Sequence, residues 1–245
     1  MSPFQWDEIF KKVNYIYSEH SKIKKYDDFN FCDDYISIYI NKTLERIKDF
    51  EDNLSSFSRS NDSINKIKYI YENEFTLNGE KFLPFKSNLE SSIKALHDLI
   101  VLEKDKQICQ IHGDMCFNNI IYEPFFGSMK LIDPRGKNEN NNLYYPKCYD
   151  IAKLSHSILG LYDSIVFGFY KIEFTEKHNI LFDIYKPIDY KIIKENFLKN
   201  FDISVISRLK ELMLFASMLP LHIENENNCL AFILRFSQLS NQLKV

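Results

Sequence analysis

Over the first hundred positions, apolar residues recur every three or four places. Trp6, Ile9, Phe10, Val13, Ile16 and Tyr17 fall on one face of a helix, and Ile36, Tyr39, Ile40, Ile47 and Phe50 approximate the same period. A third helix is expected to begin with Asp62 or Ser63 as cap and to turn Ile64, Ile67 and Tyr71 inward. A fourth is expected to begin at Ser87 or Asn88 and to bury Leu89, Ile93, Leu96 and Ile100. The polar run 55–63 reads as a loop between helices, and FTLNGEKFLPF offers a hairpin-like stretch with Asn78-Gly79 as its turn. The period then shortens. QICQI, NIIYE and MKLI are short, partly β-branched runs, and the turn-prone PFFGS between the last two predicts a hairpin of residues 119–122 against 129–132. Helical spacing returns in YDIAKLSHSILGLYDSIVFG, strands are expected in FYKIEF and NILFDIY, and ISRLKELMLFASM and CLAFILRFSQLSNQL read as packed helices. These patterns make a mainly helical α+β protein with a small β hairpin. We expect one domain over 1–245, with a helical leading part over 1–106 and a loop-plus-helix region over 107–245.

Composition narrows the classes of function. With 245 residues, 45% of them hydrophobic, the chain can bury a sizeable core. A formal charge of -3 lacks the basic excess that nucleic-acid binding needs. No run reaches the roughly 18 apolar residues of a membrane span, and the amino-terminal residues are periodic rather than signal-like, so no membrane span and a cytoplasmic location are expected. Cys32, Cys109, Cys116, Cys148 and Cys229 are odd in number and form no CxxC pair, which indicates neither a disulfide framework nor a structural zinc site. The 21 Phe and 15 Tyr are read as core filling rather than a base-stacking surface.

Candidate chemistry concentrates in IHGDMCFNNIIYEPFFGSMKLIDPRG. His112, Asp114 and Asn119 follow H-x-D-x-x-x-x-N, and Asp133 ends the apolar run fourteen residues after Asn119. Phosphoryl transfer needs this set. The migrating group carries spread negative charge, so oxygen ligands must hold magnesium and a carboxylate must stand beside the attacking hydroxyl. Asp114 is the candidate catalytic base, and Asn119 and Asp133 are the candidate metal and cofactor-binding residues. A hairpin favours their meeting, because it brings the residue before its first strand near the residue after its second. The plainer alternative is that the two acids cap strand ends and Asn119 starts a turn. His112 reads as a packing and hydrogen-bonding element, Cys116 as a packing residue, and His156 and His222 as core or groove histidines. Arg135 fits either a phosphate contact or an exposed salt bridge, and Asp150 fits a helix cap.

IHGDMCFNNIIY followed by KLIDPRG resembles the catalytic core of the aminoglycoside phosphotransferase and choline kinase family, whose loop reads H-G-D-x-x-x-x-N and whose metal-binding acid follows as I-D. Within that family, IHGDMCFNNI, IDPRG and YDIAKLSHSILGLYD are most similar to phosphotransferase-like proteins of capsular or other surface-polysaccharide synthesis. The resemblance covers mainly residues 108–163. It implies a protein-kinase-like carboxyl lobe, ATP as donor, Mg2+, and a small-molecule hydroxyl acceptor such as a sugar or amino alcohol. Position by position it implies Asp114 as base, Asn119 and Asp133 as metal ligands, and Asp150 as an acid supporting the loop.

The donor side departs from that family. No G-x-G-x-x-G occurs, the whole chain has six glycines, and only 113 residues precede Asp114. The amino-terminal β lobe is therefore expected to be reduced or absent. Three explanations stand: a partner chain supplies the lobe, something minimal replaces it, or the protein is a non-catalytic pseudokinase or binding subunit. The acceptor region is expected within residues 143–245.

Overall fold

The computed structural model describes residues 1–20, 35–56, 62–102, 108–136, 144–146, 148–175 and 179–244. Cys32, the middle of the polar run after residue 56 and the start of the expected acceptor region at residue 143 lie outside them. In chain order the elements are α1 (Pro3–His20), a π-helical turn (Ile36–Asn41), α2 (Lys42–Ser56), α3 (Asp62–Glu72), β1 (Phe75–Leu77), β2 (Glu80–Phe82) and α4 (Phe85–Leu102). They continue with β3 (Ile108–Gln110), a 3-10 turn (Phe117–Asn119), β4 (Ile120–Glu123), β5 (Ser128–Leu131), β6 (Tyr144–Pro146), α5 (Tyr149–Ile158) and α6 (Tyr162–Val166). The last are β7 (Tyr170–Phe174), β8 (Asn179–Ile184), α7 (Tyr190–Asn200), α8 (Val205–Met218), a 3-10 turn (Leu219–His222) and α9 (Glu226–Leu243). The class is α+β and mainly helical. Among the described residues, no helix is long and apolar enough to cross a membrane.

Two of these elements differ from the sequence expectation. Helix α4 begins at Phe85, ahead of the expected Ser87 or Asn88. Pro84 presets the first turn and its carbonyl accepts from Asn88 N–H at 3.0 Å, while Phe85 drops into the core 5.4 Å from the Tyr71 ring and 4.9 Å from that of Phe236. The second expected helix opens as a π turn, with Lys42 N–H bonded to Ser37 O five residues back, and becomes α-helical from Lys42. Thr43 Oγ1 donates to Tyr39 O at 2.6 Å and lies 3.4 Å from Met213 O, tying that turn to α8.

The expected strands in FYKIEF and NILFDIY and the hairpin-like stretch around Asn78-Gly79 are all present, and they join into one sheet. β1 and β2 pair as a hairpin, β1 then pairs in parallel with β8, and β8 pairs antiparallel with β7, giving the order β2-β1-β8-β7. β3 pairs with β6, and β4 pairs with β5. Asn78 and Gly79 both have positive φ, 50° and 85°, as a tight hairpin turn requires.

Two apolar cores hold these pieces. The larger is built from α2, α3, α4, α8, α9 and the four-stranded sheet, and it includes Cys109 and Ile111. The smaller gathers Ile9, Phe10 and Val13 of α1, Ile193 and Phe197 of α7, Leu154 and Ile158 of α5, and Met115, with Ile120, Tyr122, Met129 and Leu131 of the β4–β5 hairpin packed against it. The chain from Ile111 to Met115 therefore passes from one core to the other, and the buried residues at its ends anchor the loop between them.

Candidate functional site

The β4–β5 register is Ile120↔Leu131, Ile121↔Lys130, Tyr122↔Met129 and Glu123↔Ser128, the frame expected from the sequence, with the strand bounds one residue nearer the turn. The pairing continues past the strand ends, because Ile132 N–H donates to Asn119 O at 3.0 Å. His112 completes the closure. Its Nε2 lies 3.0 Å from Ile132 O, its Nδ1 accepts from Asp114 N–H at 3.3 Å, and its own carbonyl accepts from Arg135 N–H at 2.9 Å. A carbonyl only accepts, so Nε2 carries the proton and the imidazole is neutral. The backbone before Asp133, at Ile132, and after it, at Arg135, is thus tied to the loop that carries Asp114 and Asn119. His112 holds that crossing together, in keeping with the hydrogen-bonding role read from the sequence.

Gly113 sits inside this crossing at φ +78°, and a Cβ there would stand 2.9 Å from the Arg135 Cβ. Both conditions call for glycine. Asp133 also has a positive φ, 56°, a conformation that Asp tolerates better than most side chains.

Asp150 is where the cap reading fails. It is the second residue of α5, and its carboxylate makes no cap. Instead Oδ2 accepts from His112 N–H at 2.9 Å and Oδ1 accepts from Gly113 N–H at 2.8 Å. Burial raises its pKa to about 7, against the pull of those two donors. One turn along the same helix, Lys153 reaches Asp114 Oδ1 at 2.9 Å. Burial works against the Lys153 charge, but the fields of Tyr149 and Asp114 outweigh it and hold the ammonium above the ordinary lysine value. Lys153 was missed in the sequence reading, although its i,i+3 relation to Asp150 puts both on one helix face.

Asp114, Asn119 and Asp133 line one cleft of about 510 Å3. Asn119 is buried, and its Nδ2 donates to Asp114 O at 2.8 Å and to Asp114 Oδ2 at 3.2 Å. That commits its nitrogen, so Oδ1 is the atom it can offer a cation. With the exposed Asp133 carboxylate it makes a pair of hard oxygen donors, which fits magnesium completed by water and phosphate oxygens. Among the described residues, no group of three His, Cys, Asp or Glu side chains could hold a metal ion, so the softer sets that favour zinc are not assembled there.

No protein-family model, curated protein or solved structure significantly matches this chain. The chemistry must be read from the cleft itself.

The remaining candidates divide clearly. Arg135 lines the cleft, donates from Nη1 to Tyr149 Oη at 2.6 Å, and stands 5.8 Å from the ring centres of Tyr145 and Tyr149. His156 also lines the cleft, stacked 4.4 Å from Tyr162 and edge-on to Phe215 at 4.1 Å; burial, then Lys153, drives its pKa well below the ordinary value. Burial and then Asp114 raise the Cys116 thiol to about 11, which makes it a poor nucleophile. His222 packs 5.1 Å from Phe232, outside the cleft lining. Two further cations were missed. Lys42 and Arg46, one turn apart on α2, line the cleft with residues more than sixty positions further along the chain. Among the described residues, the four-stranded sheet contributes nothing to the lining.

Proposed function

We propose that this chain is an ATP- and magnesium-dependent phosphotransferase-like protein that acts on a small hydroxyl compound, a sugar or an amino alcohol, in surface-polysaccharide synthesis. The observation that carries this reading is the convergence of Asp114, Asn119 and Asp133 on one cleft, cross-tied by His112 and backed by Asp150. The similarity of IHGDMCFNNIIY and KLIDPRG to the aminoglycoside phosphotransferase and choline kinase family supports it, and dependence on ATP places the activity in the cytoplasm.

In this reading Asp114 accepts the proton of the attacking hydroxyl and orients its oxygen. Asn119 Oδ1 and the Asp133 carboxylate would hold magnesium, which when bound neutralises charge on the donor phosphates. Lys153 keeps Asp114 in place until the acceptor arrives, and Arg135, fixed by Tyr149, presents a guanidinium to phosphate oxygens.

The test is transfer to a panel of sugars and amino alcohols with magnesium and ATP. Asp114→Ala is expected to lower turnover by roughly 10²–10⁴-fold. Equal turnover in that variant would remove Asp114 as the base. Because the four-stranded sheet contributes nothing to the cleft lining among the described residues, a second reading is kept: a pseudokinase or binding subunit whose nucleotide site a partner chain completes. Absence of metal-dependent nucleotide binding by the isolated chain favours that one.

A further inference from the structure

A second concavity has a chemistry different from that of the Asp114 cleft. It holds about 450 Å3 between the segment after α6, the first residues of β7 and the start of α9. Among the described residues it shares none of its lining with the cleft. Carboxamides and rings build its wall: Asn225, Asn227 and Asn228 come from α9 and its cap, Phe167 and Tyr170 from the segment that leads into β7 and from β7 itself.

The polar part of this wall is preorganised. Asn228 is buried; its Oδ1 accepts from Tyr170 Oη at 2.7 Å and its Nδ2 donates to Val166 O at 3.3 Å, so one side chain fastens α9 to both β7 and α6. Asn225 Oδ1 accepts from Asn228 N–H at 3.1 Å, which leaves its Nδ2 to donate elsewhere. Tyr170 Oη has given its proton and keeps lone pairs that accept. Asn227 is exposed and brings a carbonyl acceptor and an amide donor of its own. Phe167 supplies the apolar counterpart: it is 60% exposed, and its ring centre lies 6.3 Å from that of Phe169, which is exposed as well. Gly168 between them has φ +74° and nothing within 4 Å of where a Cβ would stand, so the backbone there leaves the rings uncrowded. A ring face beside donating and accepting amides suits a ligand with an apolar C–H face and a rim of hydroxyls. A pyranose has both, and each of its hydroxyls donates and accepts as a carboxamide does.

We propose that this pocket binds a neutral sugar, with a pyranose ring laid on Phe167 and its hydroxyls on Asn225, Asn227 and Tyr170, at a site separate from the Asp114 cleft. The proposal goes beyond the phosphotransferase reading and does not depend on it.

Saturation-transfer NMR titrations on the full chain, without nucleotide or magnesium, test it independently of catalysis. The probes are glucose, galactose and N-acetylglucosamine, with glycerol as a control that has hydroxyls and no ring. At least one sugar is expected to bind, with an affinity that stays constant from roughly 0.05 to 0.5 M salt because no ion pair holds it. Phe167→Ala should weaken that sugar by about tenfold, and Asn227→Ala by about threefold or more. Both side chains are exposed, so both variants should melt as the parent does; if one does not fold, the other decides. Asp114→Ala should bind the sugar as the parent does. The proposal is overturned if no sugar binds, if glycerol binds as well as the sugars, if affinity falls as salt rises, or if a folded Phe167 or Asn227 variant binds like the parent. Binding lost in Asp114→Ala and kept in Phe167→Ala would put the sugar in the cleft and overturn it too. Sugar binding lost in Phe167→Ala, in a protein that shows no phosphoryl transfer, keeps this pocket and removes only the kinase chemistry.

Discussion

At the scale of single residues, the loop is held by one buried carboxylate. Asp150 is 1% exposed and spends both oxygens on the backbone N–H groups of His112 and Gly113. An amide in its place would keep one acceptor and turn an N–H against the other donor. At pH 5, Asp150→Asn is expected to destabilise the protein by about 1–3 kcal/mol. The pH dependence has a definite sign. The folded pKa of about 7 lies above the unfolded value of 3.8, so the folded state keeps a proton that the unfolded chain releases. Wild-type stability from this group is therefore complete below about pH 4 and is lost as pH rises toward 7. The variant has no such slope, so its deficit should shrink between pH 5 and pH 8. Urea unfolding of both proteins at the two pH values checks this, and a deficit that widens with pH would contradict the burial of an ionisable Asp150.

At the scale of elements, Asn78 serves the sheet as well as its turn. Its N–H donates to Ile180 O at 2.8 Å, its Nδ2 donates to Phe182 O at 2.9 Å, and its Oδ1 accepts from Phe182 N–H at 2.9 Å. The side-chain amide acts as one more peptide unit and carries the β1 edge onto β8. Asn78→Gly keeps the positive φ and loses only the amide, whereas Asn78→Ala loses the amide and strains the backbone as well. Thermal unfolding should place Gly about 1–3 kcal/mol below the parent and Ala lower still; a neutral Gly variant would mean that the amide bonds contribute nothing net. This sheet also marks the limit of what the sequence conveys. The β4–β5 hairpin was legible because turn and alternation lie within fifteen residues. The β1–β8 pairing was not, because Thr76↔Asn179 joins positions a hundred residues apart and leaves no local period. Asp114, Asn119 and Asp133 stood out by spacing, and Lys153 could have been found from Asp150 by counting one helical turn. Lys42 and Arg46 read as an ordinary solvated helix face, since only tertiary packing sets them across from the loop.

At the scale of the whole molecule, the candidate site depends on a helix that contributes nothing to the cleft lining. Phe10 of α1 is fully buried between Trp6, Phe197 and Phe201, with ring centres 6.0, 5.8 and 6.3 Å away. Trp6 in turn lies 5.8 Å from Phe117 in the loop, and Tyr122 of β4 donates to Glu8 at 2.9 Å. The hairpin therefore rests on α1 and α7, while the four-stranded sheet rests on the larger core. Removing the Phe10 ring should cost about 3–5 kcal/mol, through lost burial and the cavity left behind. Its effect should also be uneven, because the smaller core supports the hairpin directly while the four-stranded sheet packs on the larger core. In Phe10→Ala, amide exchange is expected to quicken in Ile120–Glu123 and Ser128–Leu131 well before it does in Phe75–Leu77 and Asn179–Ile184. Asp133 should then lose its fixed position relative to Asp114, and the proposed phosphoryl transfer, if measured, should fall by more than the unfolded fraction accounts for. Equal acceleration of exchange in both regions would instead make the two cores one cooperative unit, with the site no more sensitive to α1 than the rest of the fold.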